Sequence, residues 1–366
     1  GADTVDGGAG TGDRLVLRAT STDLNSALDT QLVNVESVTV SGNTAVTLSL
    51  TNQNEGFTIT GGGGADVITG GKGADTITGG AGNDTINGFT TGDIIDGGDG
   101  TDTLVLTASL STATTNDQIA HLENVSVAST VAAGIIIYLG SQLSTESFSI
   151  TGGSGADTIT GGAGNDTISG GGGDDKIIGF TTGDAVDGGA VIDTLVLSGA
   201  SASYTIGDTK LTTVEIFDAS TATSAVTLDL SAQTESLIIK ASNYGDTITG
   251  GTVGDKITGG NLADKIIGFT TGDTVDGGGG ADILSLSATS TALNAALDTQ
   301  LVNVETVTAS AAATISLTNQ TEGLNIEGST GADAITGGKG ADAITGGAGN
   351  DVLNGGAGND TFNGFV

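Results

Sequence analysis

Asp recurs at nine-residue steps in four stretches of this chain. It stands at Asp66, Asp75, Asp84, Asp93 and Asp102, and again at Asp157, Asp166, Asp175, Asp184 and Asp193. A third series is Asp246, Asp255, Asp264, Asp273 and Asp282, and a fourth is Asp333, Asp342, Asp351 and Asp360. Two places after the Asp comes a large apolar residue, as in Ile68, Ile77, Ile86, Ile95 and Leu104. Glycine holds places one, two and four of most blocks, as in GGGGADVIT, GGKGADTIT and GGAGNDTIN. Glycines at those places let the backbone turn tightly with positive φ, which aims main-chain carbonyls at one point. The Asp adds a carboxylate there. Several hard oxygen ligands per ion are what Ca²⁺ selects. The last three residues of each block read as a short strand whose middle side chain points inward. A flexible Gly/Asp linker has no reason to hold Asp and an aliphatic in register.

The block is the glycine-rich nonapeptide G-G-x-G-x-D-x-U-x, and by it the chain resembles the RTX, or haemolysin-type calcium-binding, family. The resemblance implies an all-β fold, a parallel β-roll with two nonapeptides per coil and calcium shared between stacked loops. It also implies export, unfolded and calcium-free, by a type I system.

Composition agrees with that expectation. The 366 residues include 65 Gly and no Pro, Cys, Met or Trp. Without cysteine there are no disulfides or thiol chemistry, so a secreted chain of this kind needs metal to cross-link it. The net charge is −34, from 43 acidic and 9 basic residues, which argues against nucleic acid as a partner. The longest apolar runs, such as Ile135–Leu139, are far too short to span a bilayer. On the order of 15 Ca²⁺ would cancel most of the charge, making neutralisation and folding one event.

Stepping along the chain, residues 1–14 read as the end of a nonapeptide tract. Tracts follow at 61–103, 152–194, 241–283 and 328–366, separated by β spacers at 15–60, 104–151, 195–240 and 284–327. The third tract is degraded: Ser242, Tyr244, Val253 and Leu262 replace glycines or small residues. Its fold is expected to persist with weaker or fewer ions. A fixed variant, GFTTGD, occupies Gly88–Asp93, Gly179–Asp184 and Gly268–Asp273. It reads as a transition between two coil shapes, or else as an aromatic filling a core gap.

The spacers also repeat. Ala27–Glu36 is identical to Ala296–Glu305, with echoes at His121–Val125 and Leu211–Glu215. Leu15, Leu104, Leu195 and Leu284 open the spacers at intervals of 89, 91 and 89 residues. Alternating segments such as Val46–Leu50 read as strands, and Leu24, Leu28 and Leu32 are spaced for one or two helical turns. The spacers are expected to continue the solenoid as a wider parallel β-helix, with a β-sandwich bead as the alternative.

Joining Val366 to Gly1 writes G-F-V-G-A-D-T-V-D, a further block with its Asp at Asp3 and its inward residue at Val5. The reading is therefore one period of a longer array, head to tail with itself, whose junction draws metal ligands from Asp351, Asp360, Asp3 and Asp13. The insertion at Gly12 shifts Asp13 by one residue, so its place is the least regular.

Catalytic patterns do not emerge from the residues. The single His121 reads as a spacer residue, and no G-x-S-x-G, H-E-x-x-H or P-loop pattern occurs. Threonines such as Thr76/Thr78, Thr158/Thr160 and Thr247/Thr249 flank the inward isoleucines and suggest an ice-binding face, though strand propensity alone explains them. The leading expectation is a non-enzymatic, secreted calcium-dependent bacterial fibre, surface-layer protein or adhesin stalk. The second is the repeat region of an RTX toxin, lipase or protease.

Overall fold

An apolar side chain between two polar ones, as in Thr76-Ile77-Thr78, suits a strand with one face buried. A three-residue strand cannot bury that side chain alone. It must stack on copies of itself. In a computed structural model, which describes residues 3–111, 118–142, 146–198 and 203–364, the strands do so in parallel sheets. The chain divides into two compact units, Gly1–Val191 and Ile192–Val366. Each is a parallel β-solenoid.

In the first unit, one sheet runs through Arg14–Leu17, Ser37–Val40, Thr58–Thr60, Thr76–Ala81, Ile94–Asp99 and Ile119–Ala120. The strands between these in sequence, such as Val67–Thr69, Thr85–Asn87 and Thr103–Leu106, build the opposing sheet. Each coil of a tract therefore spends one nonapeptide on each sheet. Ile59 pairs with Ile77 and Ile77 with Ile95, while Ile68 pairs with Ile86 and Ile86 with Leu104. Both columns advance by 18 residues per coil, and none of these side chains is more than 1% exposed. Each such burial contributes about 2 kcal/mol, which makes the columns the core of the unit.

The second unit repeats the scheme. Phe217, Ile239, Ile257, Val275 and Leu301 form one column. Leu228, Ile248, Ile266, Leu284, Val307, Ile326 and Ile344 form the other.

The spacers continue the same columns; they are not separate sandwiches. Leu15 pairs with Val38 and Val38 with Ile59, and in the second unit Leu284 pairs with Val307. Spacer coils are longer, and the additional residues go into corners. One is a single helical turn, Thr22–Asn25, where Ser21 Oγ accepts from the Leu24 N–H at 3.2 Å. Its counterpart, Thr291–Ala295, is capped by Ser290 in the same way. Of the three spaced leucines, Leu24 lies in the turn, Leu28 is exposed and Leu32 enters a strand. A buried glutamine ties the corner of three spacers: Gln53 Nε2 donates to the Ala27 carbonyl, Gln233 to Ile206 and Gln320 to Ala296.

The GFTTGD blocks combine an aromatic with a left-handed turn, and the aromatic of the first, Phe89, is half-buried. Phe180 and Phe269 are buried in the core. Gly88, Gly179 and Gly268 take φ of 80°, 84° and 82°, a left-handed turn that none of the first two blocks of a tract makes at this place.

Candidate metal centre

Where the chain leaves a glycine turn, the N–H just before the next strand has no sheet partner, and a buried N–H needs one. The Asp of the next coil supplies it. The Asp66 N–H donates to Asp84 Oδ1 and the Asp84 N–H to Asp102 Oδ1, both at 2.7 Å. On the other side of the roll the Asp75 N–H donates to Asp93 Oδ1 at 2.8 Å. The same 18-residue link joins Asp157 to Asp175, Asp166 to Asp184, Asp246 to Asp264, Asp264 to Asp282 and Asp255 to Asp273. It also joins Asp333 to Asp351 and Asp342 to Asp360. Each tract thus carries two ladders of carboxylates, one along each edge of the roll. The preceding spacer coil is docked onto the ladder in turn: the N–H groups of Val46 and Phe57 donate to Asp66 and Asp75 Oδ1.

Nearly all the aspartates singled out in the sequence are therefore placed alike. Those of the first three tracts, with Asp333 and Asp342, are at most 4% exposed. Asp351 and Asp360 are half-buried, as is Asp13, while Asp3 is exposed. Asp13, despite the insertion before it, sits on the ladder: its N–H donates to Glu36 Oε2 at 2.8 Å. Asp3 takes the place that Asp273 takes later, since Gln31 Nε2 donates to the Asp3 carbonyl as Gln300 Nε2 does to that of Asp273. Gly1, Phe365 and Val366, on which the expected junction rests, lie outside the described residues.

The second carboxylate oxygen distinguishes two kinds of loop. In the first two blocks of the first, third and fourth tracts it accepts from the place-two N–H, as Gly62 donates to Asp66 Oδ2 and Gly71 to Asp75 Oδ2. In the GFTTGD blocks the donor is a threonine N–H, from Thr90, Thr181 or Thr270. In the third and fifth blocks of the first and third tracts the place-two glycine flips to positive φ, as at Gly80 (116°) and Gly98 (101°). Its N–H no longer reaches the Asp. The Oδ2 atoms of Asp84, Asp102, Asp264 and Asp282 are buried and accept no hydrogen bond.

A buried, unpartnered carboxylate is costly, and it titrates accordingly. Loss of solvation, opposed by one backbone hydrogen bond and reinforced by the neighbouring ladder carboxylates, pushes Asp84 up to about 6 and Asp264 up to about 7. Burial likewise pushes Asp255 up to about 6 and raises Asp75, Asp102, Asp166 and Asp282.

These loops fit calcium. A Cβ on Gly79 would collide with the Gly97 carbonyl oxygen and lie 2.5 Å from Asp84 Oδ2. A Cβ on Gly259 would meet the Gly277 carbonyl and Asp264 Oδ2 in the same way. Glycine at place one thus holds open a cradle lined by a carboxylate and by a main-chain carbonyl of the next coil. Both are hard oxygen ligands. Among the described residues no three His, Cys, Asp or Glu side chains converge as a metal cluster, so a cation here draws its further ligands from carbonyls. A bound calcium would supply the positive charge that the buried carboxylates lack and would tie one coil to the next.

The family model for the RTX calcium-binding nonapeptide repeat, HemolysinCabind, matches four copies, at residues 60–88, 72–104, 151–179 and 327–362. These stretches are RTX calcium-binding repeats. The RTX matches take in the first tract, the second as far as Gly179 and the fourth; the third lies outside them but keeps the same ladder. No curated protein matches the chain.

Four site residues were not singled out in the sequence. Glu36, Glu123, Glu215 and Glu305 accept, through Oε2, the N–H of the last ladder Asp before them: Asp13, Asp102, Asp193 and Asp282, at 2.7–2.8 Å. Two residues upstream of each Glu lies a non-glycine residue at positive φ: Asn34, His121, Thr213 and Asn303, at 49–53°. The signal was present in the spacer echoes, all of which contain this glutamate. His121 has a structural part. Its Nδ1 lies 2.7 Å from Asp96 Oδ1, as Asn34 and Asn303 amides bond Asp6 and Asp276.

Proposed function

We propose that this chain is a secreted, calcium-dependent structural protein that stacks head to tail into a bacterial extracellular fibre, surface layer or adhesin stalk. The ladder aspartates are its calcium ligands, and folding follows their neutralisation outside the cell. Secretion accords with the RTX repeats, which are typical of secreted proteins.

The observation that carries the reading is the recurrence of one tract-and-spacer unit down to its local geometry. Asp13, Asp102, Asp193 and Asp282 each hand their N–H to a spacer glutamate. Gly364 takes φ of 69°, close to the 80–84° of the three GFTTGD glycines, and Asp3 is held as Asp273 is. Asp3 and Gly364 thus each share one local feature of such a block, which suits a heterologous contact that propagates without closing. Nothing in this reading requires catalysis; the repeats hold metal and shape.

Electron microscopy of the native material in millimolar calcium, and again after chelation, tests it. Filaments that disperse in chelator are expected. A monodisperse monomer in both conditions, by sedimentation, rejects assembly.

A further inference from the structure

Inside an RTX tract, a cradle has three parts. For Asp84 they are its own Oδ2, the Gly97 carbonyl and the ladder carboxylate of Asp102 in the next coil. At the end of the tract the nonapeptides stop, yet the three parts do not. Asp102 is fully buried and its Oδ2 accepts no hydrogen bond. A Cβ on Gly97 would collide with the His121 carbonyl oxygen and lie 2.7 Å from Asp102 Oδ2. The ladder position is filled by Glu123, whose Oε2 accepts the Asp102 N–H at 2.7 Å.

The second unit holds the same set. Asp282 is fully buried, with Oδ2 unpartnered, and a Cβ on Gly277 would meet the Asn303 carbonyl and lie 2.7 Å from that Oδ2. The Asp282 N–H donates to Glu305 Oε2 at 2.8 Å.

We propose that the second and fourth spacers each supply the closing half of one further calcium site. The carboxylates of Glu123 and Glu305 and the carbonyls of His121 and Asn303 take the places that the next Asp and the next glycine hold inside a tract.

The backbone of the spacer is built for this. A left-handed φ at a non-glycine residue is unfavourable, and it is retained at the carbonyl in question: 49° at His121 and 51° at Asn303. That turn directs the carbonyl to the spot where a glycine carbonyl would stand. The side chain of the same residue is pinned by Asp96 or Asp276. A neutral hydrogen-bond acceptor would satisfy the Asp N–H equally well. A glutamate set beside a buried, unpartnered aspartate instead adds like charge, and a divalent cation is the group that turns this repulsion into attraction.

The test uses the full chain. Glu123→Gln and Glu305→Gln keep an oxygen acceptor for the Asp N–H and remove only the charge. Bound calcium is counted by equilibrium dialysis and titration calorimetry, with Glu327→Gln, on an exposed strand position, as control. Each spacer substitution is expected to remove one ion or to weaken one site at least tenfold, additively in the double variant, and the control to change nothing. An unchanged count and affinity in both variants overturns the proposal. Because a variant could fail to fold, the calcium-loaded wild-type crystal structure gives an independent reading. Metal density between Asp102 Oδ2 and the His121 carbonyl supports the site, and its absence there while tract cradles are occupied overturns it. A wild-type chain that binds no calcium at all overturns both this site and the tract reading.

Discussion

The Asp84 N–H donates to Asp102 Oδ1 at 2.7 Å, across one coil and 18 residues of sequence. The same side chain thus does two jobs. One carboxylate oxygen closes the backbone of the coil before it, and the other faces the metal cradle. The two jobs separate by substitution. Asp84→Asn keeps an acceptor for the Asp66 N–H and removes a buried charge. In chelator at pH 7 it is expected to match or exceed the wild type in stability while binding one calcium fewer. Asp84→Ala leaves the Asp66 N–H buried and unpaired, a loss of about 1–3 kcal/mol with or without calcium. Denaturation with and without chelator, alongside a calcium count, checks both. Equal behaviour of the two variants contradicts the division of labour.

The raised carboxyls set a direction for pH. An unfolded Asp loses its proton near 3.8, whereas in the metal-free fold Asp84 and Asp255 hold theirs to about 6 and Asp264 to about 7. Between about 4 and 7 the folded chain therefore binds more protons than the unfolded one, and its stability falls as pH rises. Surface carboxyls such as Asp6, lowered by its bond from Asn34, run the other way but are solvent-exposed. Without calcium, the β signal in circular dichroism should be stronger and melt later at pH 4.5 than at pH 7.5. Saturating calcium, which takes the place of those protons, should reverse the order. A metal-free chain that gains stability with pH would sink this account.

Much of this was legible in the sequence because the nine-residue period fixes two things together. Asp75 and Ile77 recur in step, so the coil size, the inward column and the buried carboxylate row all follow from one count. The ends of the rows were not legible by that count. Glu123 stands 21 residues after Asp102, off the period, since the spacer coil carries extra residues in its corner. Only the recurrence of a glutamate in every spacer marks it. The two loop forms were also hidden. Gly62 and Gly80 are both place-two glycines, and glycine permits either sign of φ, so the residue type does not say which loop flips.

One place-four residue breaks the glycine rule at positive φ. Val191 has φ of 94°, where Gly100 and Gly280 hold the equivalent place. A β-branched side chain there costs about 1–2 kcal/mol. Val191 is 65% exposed, so removing its side chain forfeits little burial. Val191→Gly is expected to raise the denaturation midpoint of the calcium-loaded protein and to tighten binding at the Asp193 loop. A lowered midpoint would mean that the unfolded-state entropy of the new glycine outweighs the strain.

The third tract should release calcium before the first. Its ladder is intact, but its first cradle is already filled by donors. Ser242 Oγ lies 2.9 and 2.8 Å from the two oxygens of Asp246, and the Ser242 N–H donates to Oδ2 as well. Those bonds must break before a cation can use the carboxylate. Place four holds Tyr244, Val253 and Leu262, all at least 40% exposed, where the other tracts mostly have glycine. A hydrogen bond to a charged group is worth about 1.5–3 kcal/mol, so losing one on metal binding lowers affinity by about tenfold or more. Crystals equilibrated at graded calcium should show density at Asp66 and Asp84 before Asp246 and Asp264. Ser242→Gly should narrow the gap at Asp246 by about that factor, without disturbing the Asp246 to Asp264 link. Equal occupancy of the two tracts at every calcium level, or a Ser242→Gly variant with unchanged binding, would show that the hydroxyl does not compete with the ion.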